Sequence, residues 1–132
     1  METSQDTRPK GPHTVLIVED DAFLAKTYEA KLHLEGSEVW IARDGEEAME
    51  LLRKEKPSLV LLDLMLPLVS GFDVLEAVRK DQKWEKVPVV VLTNLGQPQD
   101  RERAEKLGIV KYIVKVDAKI GDVVEEVKKC LI

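Results

Sequence analysis

The run LVLLD at residues 59–63 decides the reading of this chain: four consecutive apolar residues, closed by an acid. Such runs form strands buried on both faces of a parallel sheet, where no solvent side exists to impose alternation. A carboxylate ending an apolar run is costly unless it is paired or functional, so Asp63 is the first candidate for chemistry. Upstream, TVLIV at 14–18 has the same character and stops on Glu19-Asp20-Asp21. Between the two runs, Phe23, Thr27, Ala30 and Leu34 recur at helical spacing as far as Gly36, a residue suited to a left-handed helix end. EVWIA at 38–42 reads as a strand. Asp44 with Glu47 three residues later starts a helix carrying Ala48, Leu51 and Leu52, and Pro57 closes it.

Downstream of Asp63 the loop LMLPLVSG leads into a helix bearing Phe72, Leu75 and Val78 or Arg79, as far as Asp81. VPVVVLT is a fourth strand ending on Thr93. A short helix from Asp100 to Leu107, closed by Gly108, precedes the strand KYIV and Lys115, and a last helix presents Val123, Val124, Val127 and Leu131. Five βα units in this length predict an α/β, flavodoxin-like (βα)5 three-layer sandwich with a parallel five-stranded sheet in the order 2-1-3-4-5. Ligands in such sheets lie beyond the carboxyl ends of the strands where the winding reverses, between the first and third. Those ends carry Glu19, Asp20, Asp21 and Asp63.

At 132 residues the chain has the size of one domain. Residues 1–12, polar with two prolines, read as a disordered tail, leaving 13–132 for the domain. Basic and acidic residues number 20 and 25, and the net charge of −5 disfavours nucleic acid or an anionic membrane as main partner. Cys130 alone makes no internal disulfide, and no apolar run nears the roughly 20 residues of a membrane span. A cytoplasmic setting is the expectation.

Converging carboxylates repel one another and stay ionised beside a hard cation or a positive side chain. Oxygen ligands with retained waters suit Mg2+, and Lys115 supplies an ammonium. An aspartate can itself be a phosphoryl nucleophile, with metal, lysine and the Thr93 hydroxyl each steadying one phosphoryl oxygen. Plainer roles stand beside these. The acids can cap a helix, Thr93 can be a strand residue, Lys115 a surface lysine and Tyr112 half-buried packing with a wet hydroxyl. His13, His33 and Cys130 are assigned no chemistry.

The segments VLIVEDD, LVLLDLMLP, VVVLTN and YIVK, in that order and spacing, make the chain resemble the response-regulator receiver domain of the single-domain, chemotaxis type, from His13 to Ile132. The resemblance implies that Asp63 is the phosphoacceptor of a two-component phosphorelay. It implies that Glu19, Asp20, Asp63 and the backbone carbonyl of Met65 hold Mg2+, that Thr93 and Lys115 bind the phosphoryl group, and that Tyr112 rotates inward when Thr93 moves. The implied partners are a sensor histidine kinase or phosphotransfer protein, and a downstream protein at the face of the fourth helix, fifth strand and fifth helix. No direct contact with nucleic acid or membrane is expected. The chain would be a monomer or a phosphorylation-dependent dimer, promoting only its own phosphorylation and dephosphorylation rather than acting as an enzyme. With Ile132 directly after the last helix, output by binding another protein or by self-association is the expectation, and apolar Met65 and Leu95 beside the water path predict slow hydrolysis.

Three positions depart from the family pattern. Val116 replaces a proline that follows the lysine in a cis bond, which predicts either a trans bond with a rearranged loop or a strained cis bond. Asn94 replaces a small residue beside Thr93, and LVSG exposes Leu68 and Val69. Among rivals, a haloacid-dehalogenase-type phosphatase needs a second aspartate where this chain has Met65, and no glycine-rich phosphate loop follows any strand. A receiver-like interaction module working without phosphorylation is the alternative.

Overall fold

A computed structural model describes residues 13–131; the tail expected over 1–12, and Ile132, lie outside them. The β-branched and leucine-rich runs form β1 (Thr14–Val18), β2 (Glu38–Ala42), β3 (Leu59–Leu62), β4 (Val89–Thr93) and β5 (Lys111–Val114). The helices are α1 (Ala22–Leu34), α2 (Gly45–Lys54), α3 (Gly71–Lys80), α4 (Pro98–Lys106) and α5 (Ile120–Leu131). All pairings are parallel and the order is β2-β1-β3-β4-β5, as the alternation of elements predicts.

Every residue of β3 is buried because both faces of the sheet are covered. One face, including Leu16, Val18, Val60, Leu62 and Val91, packs on Ala48 and Leu52 of α2, on Phe72, Val74, Leu75 and Val78 of α3, and on Ala104 of α4. The other, with Val15, Ile17, Leu59, Leu61, Val90 and Leu92, packs on α1 and α5. Each fully buried aliphatic side chain contributes about 1.5–3 kcal/mol, so the central strand is the most strongly held part of the sheet. Its register fixes the site. Val18 pairs with Leu62, and the Asp63 N–H donates to the Val18 carbonyl at 3.0 Å, so the acids after β1 and β3 emerge side by side.

Local signals placed most boundaries. Asp44 accepts from the Glu47 N–H at 2.8 Å while the Glu47 carboxylate accepts from the Arg43 N–H at 2.7 Å. Gly36 and Gly108 take positive φ where α1 and α4 end. The stripe expected on α1 is a correction: Phe23 is 82% and Leu34 81% exposed, and the buried face carries Ala25, Tyr28 and Leu32 instead. Phe23, Thr27, Ala30 and Leu34 do share one side of the helix, but it faces solvent. Apolar residues occur on both sides of α1, so periodicity alone could not choose between them.

Candidate functional site

Glu19 and Asp63 are only 3% and 4% exposed, and Lys115, first residue of a short 3-10 turn (Lys115–Asp117) after β5, bridges them. Its Nζ lies 2.7 Å from Asp63 Oδ2 and 2.8 Å from Glu19 Oε1. The remaining carboxylate oxygens are also engaged: Asp63 Oδ1 accepts from the Met65 N–H and Glu19 Oε2 from the Asp21 N–H, both at 3.0 Å. Burial pushes the Glu19 carboxyl above its ordinary value, against the opposing pull of Lys115. Burial also acts to lower the Lys115 ammonium, but its bonds to Asp63 and Glu19 outweigh that and raise it.

The acidic triplet divides by role. Glu19, Asp20 and Asp63 each offer an oxygen, all within 4.8 Å of one another. Asp21 is not a member of that cluster and caps α1, its Oδ1 accepting from the Leu24 N–H at 3.1 Å. The triplet thus supplies a cap for α1 from Asp21 and, from Glu19 and Asp20, two members of a carboxylate cluster with Asp63.

Thr93 is fully buried at the end of β4, its Oγ1 taking a long 3.4 Å bond from the Leu95 N–H. The Tyr112 hydroxyl donates to the carbonyl of the same Leu95 at 2.6 Å. Leu95 is thus bracketed by both residues. Tyr112 is 5% exposed and turned inward, so the half-buried ring with a wet hydroxyl is corrected to a buried ring whose hydroxyl is bonded within the chain. The phenol finds a partner in the chain itself, which removes the cost of burying it. Its ring lies beneath Arg101, 5.6 Å from the guanidinium.

Among the departures, the Lys115–Val116 bond is trans, with the loop rearranged into the 3-10 turn and Val116 77% exposed. Leu68 is exposed with φ of 68°, whereas Val69 corrects the expectation: it is partly buried against the core, over the start of α2. Asn94 is exposed. His33 and Cys130 enter none of the site's contacts.

Two contributors escaped the sequence reading. Tyr28 of α1 is 3% exposed and walls a small closed pocket with Ile17, Val18, Glu19, Leu61, Asp63 and Leu92. Burial pushes its phenol up to about 12, with Lys115 opposing and Glu19 assisting. Shifting the expected α1 stripe by one residue would have found it. Gly71 starts α3 where a Cβ would meet the Asp63 carbonyl oxygen and, at 2.5 Å, the Leu64 Cα. Only glycine lets α3 pack this closely behind the Asp63 backbone.

A family model described as the response regulator receiver domain matches residues 15–128. The chain is 43% identical over 101 residues to the "Probable transcriptional regulator ycf27" of Guillardia theta, covering 76% of this chain and 39% of that protein. Like it, the other curated relatives compared are longer, and the chain spans less than half of their length. A CheY-like response regulator receiver domain protein from Methanospirillum hungatei superposes with a TM-score of 0.85 at 26% identity, covering 92% of this chain and 94% of that one. The Mn(2+)-bound form of response regulator Rcp1 does so at 0.78 and 29%, covering 89% and 91%.

Proposed function

We propose that this chain, which belongs to the response regulator receiver domain family, accepts a phosphoryl group on Asp63 and converts it into a change at the surface around α4 and β5. One observation carries the reading: a buried aspartate at the end of the central strand, bonded to a lysine from β5's end and ringed by two further acids. Asp63 needs no base, since the carboxylate is already a nucleophile. A carboxylate oxygen attacks phosphorus while the bond to the donor breaks, its electron pair leaving with a histidine nitrogen of a kinase or phosphotransfer protein, or with the acetate of acetyl phosphate. Lys115 gives up its bond to Asp63 and follows the phosphoryl oxygens. The Thr93 hydroxyl, so far bonded only weakly to Leu95, turns to a second oxygen.

The donor set fits a divalent cation. Three carboxylates against the one ammonium of Lys115 leave an excess of two negative charges, and all-oxygen ligands suit Mg2+. Glu19, Asp20, Asp63 and the Met65 carbonyl would hold it, and when bound it supplies charge neutralisation at the phosphoryl oxygens. Water later hydrolyses the acyl phosphate. The chain thus acts on its own aspartate, and Met65 in place of a second acid offers no proton for turnover of external phosphoesters.

The kinase-facing surface is supported by exposed apolar residues that follow the ends of β1, β3 and β5: Phe23 at the start of α1, Met65 and Leu68 in the loop after Asp63, and Val116 in the 3-10 turn. Such a rim suits a protein donor more than a small one. Among the described residues no helix is long and apolar enough to cross a membrane. We assign no nucleic-acid contact to this segment; a transcriptional output, as the ycf27 name indicates for that relative, would act through partners or further sequence. Intact mass after incubation with acetyl phosphate and Mg2+ tests the proposal. A phosphoryl adduct absent with chelator and in Asp63→Asn is the expected result; a folded wild-type chain that takes no adduct from any donor refutes it and leaves an interaction module independent of phosphorylation.

A further inference from the structure

Ala104 is the only buried residue of α4, so this helix has little apolar surface holding it to the sheet. Its two ends are held very differently. At the carboxyl end, the Arg79 guanidinium of α3 donates to four backbone carbonyls: Nε to Leu107 at 2.7 Å, Nη2 to Gly108 at 2.9 Å, and Nη1 to Val87 at 2.8 Å and Glu85 at 3.0 Å. Leu107 and Gly108 lie just past the last turn, where orphan carbonyls and the helix dipole favour a cation. One side chain therefore ties the end of α4 to the segment leading into β4. At the amino end, Gln97 gives no side-chain cap, and Asn94, Gly96 and Gln97 are exposed. That end rests on Arg101 over Tyr112 and on the Tyr112 hydroxyl's bond to Leu95. Arg103 adds a mid-helix contact to α3, over the Phe72 ring at 4.1 Å and beside Glu76 at 3.2 Å.

We infer that Arg79 is the fixed pivot of α4 and that the helix swings from its amino end. Movement of Leu95 or Tyr112 then tilts α4 about the Arg79 clamp instead of translating it. Given the phosphoacceptor reading above, on which this last step rests, phosphorylation re-aims the Arg101 and Arg103 side of α4 and leaves the Leu107–Gly108 corner in place. Arg79 is a positioning residue beside the segments that lead into β4 and β5, whereas Asp63 lies at the carboxyl end of β3.

Amide hydrogen exchange on the whole chain separates the two ends. Tyr112→Phe removes the bond to Leu95 and is expected to speed exchange over residues 95–102 while leaving Leu107 and Gly108 as in the wild type. Arg79→Lys keeps the charge but cannot span four carbonyls, and is expected to speed exchange at Leu107 and Gly108 by about tenfold or more. Equal acceleration at both ends in Tyr112→Phe, or unchanged protection of Leu107 and Gly108 in Arg79→Lys, overturns the pivot. Should Arg79→Lys not fold by circular dichroism, the Tyr112→Phe comparison still decides. Acetyl phosphate labelling of Arg79→Lys is expected to match the wild type. A wild type that takes no label refutes the phosphoacceptor reading and leaves the exchange result standing.

Discussion

Replacing Gly71 with alanine sets two physical effects against each other. Gly71 is the first residue of α3 and does not adopt positive φ, so helix propensity and the entropy of the unfolded chain predict that alanine stabilises by about 0.4–1 kcal/mol. The new Cβ, however, would lie 2.5 Å from the Leu64 Cα and closer still to the Asp63 carbonyl oxygen. Both are backbone atoms of a segment held by the fully buried β3, and relieving the overlap demands a shift of roughly an ångström. Overpacking of this kind costs about 1–3 kcal/mol, which outweighs propensity, so the net expectation is a loss of about 1–2 kcal/mol in urea unfolding. The displaced atoms carry Asp63, and a misplacement of that size lowers the rate of a positioned reaction by about 100-fold, which the rate of acetyl phosphate labelling would report. Gly121→Ala on α5 is the control: its Cβ meets nothing within 4 Å and should stabilise. If Gly71→Ala stabilises as Gly121→Ala does and labels at the wild-type rate, the close approach of α3 to Asp63 is not what requires glycine.

Further outcomes follow from the same contacts. Leu34→Ser should change stability by less than about 0.5 kcal/mol and Leu32→Ala should cost about 2–5 kcal/mol in urea unfolding, because the two face opposite sides of α1. Tyr28 ionises in the folded chain near 12 against an ordinary 10; the folded state then holds the extra proton, so stability is intact below pH 10 and falls as pH rises from 10 toward 12, by roughly 2–3 kcal/mol. Denaturant melts across that range check this, and Tyr28→Phe should flatten the decline. Mg2+ should raise the thermal midpoint of the wild type in proportion to the logarithm of its concentration, and Asp20→Asn should weaken the rise.

The fold was legible because five apolar runs alternate with helical segments, and the acids because two of those runs end on them. Lys115 and Thr93 followed from the same logic at the ends of β5 and β4. What escaped depended on which side of an element faces inward or on backbone distance. Phe23 and Leu34 looked like the core of α1 because they are large, while small Ala25 and polar-tipped Tyr28 are the residues that pack. Gly71 and Gly36 look alike in sequence, yet one serves a steric contact and the other a positive φ. Arg79 sits at the end of an amphipathic helix, where an arginine is ordinarily a solvated residue; its four carbonyl partners come from segments that only the fold brings together.

The central claim concerns one atom group, the Asp63 carboxylate, and reductive trapping reads it directly. Borohydride converts an aspartyl phosphate to homoserine, which peptide mass spectrometry locates by residue. After treatment with acetyl phosphate and Mg2+, homoserine at position 63 and at no other acid is the predicted result. Homoserine at Asp20 or elsewhere, or an unmodified Asp63 in a folded chain, would contradict the account.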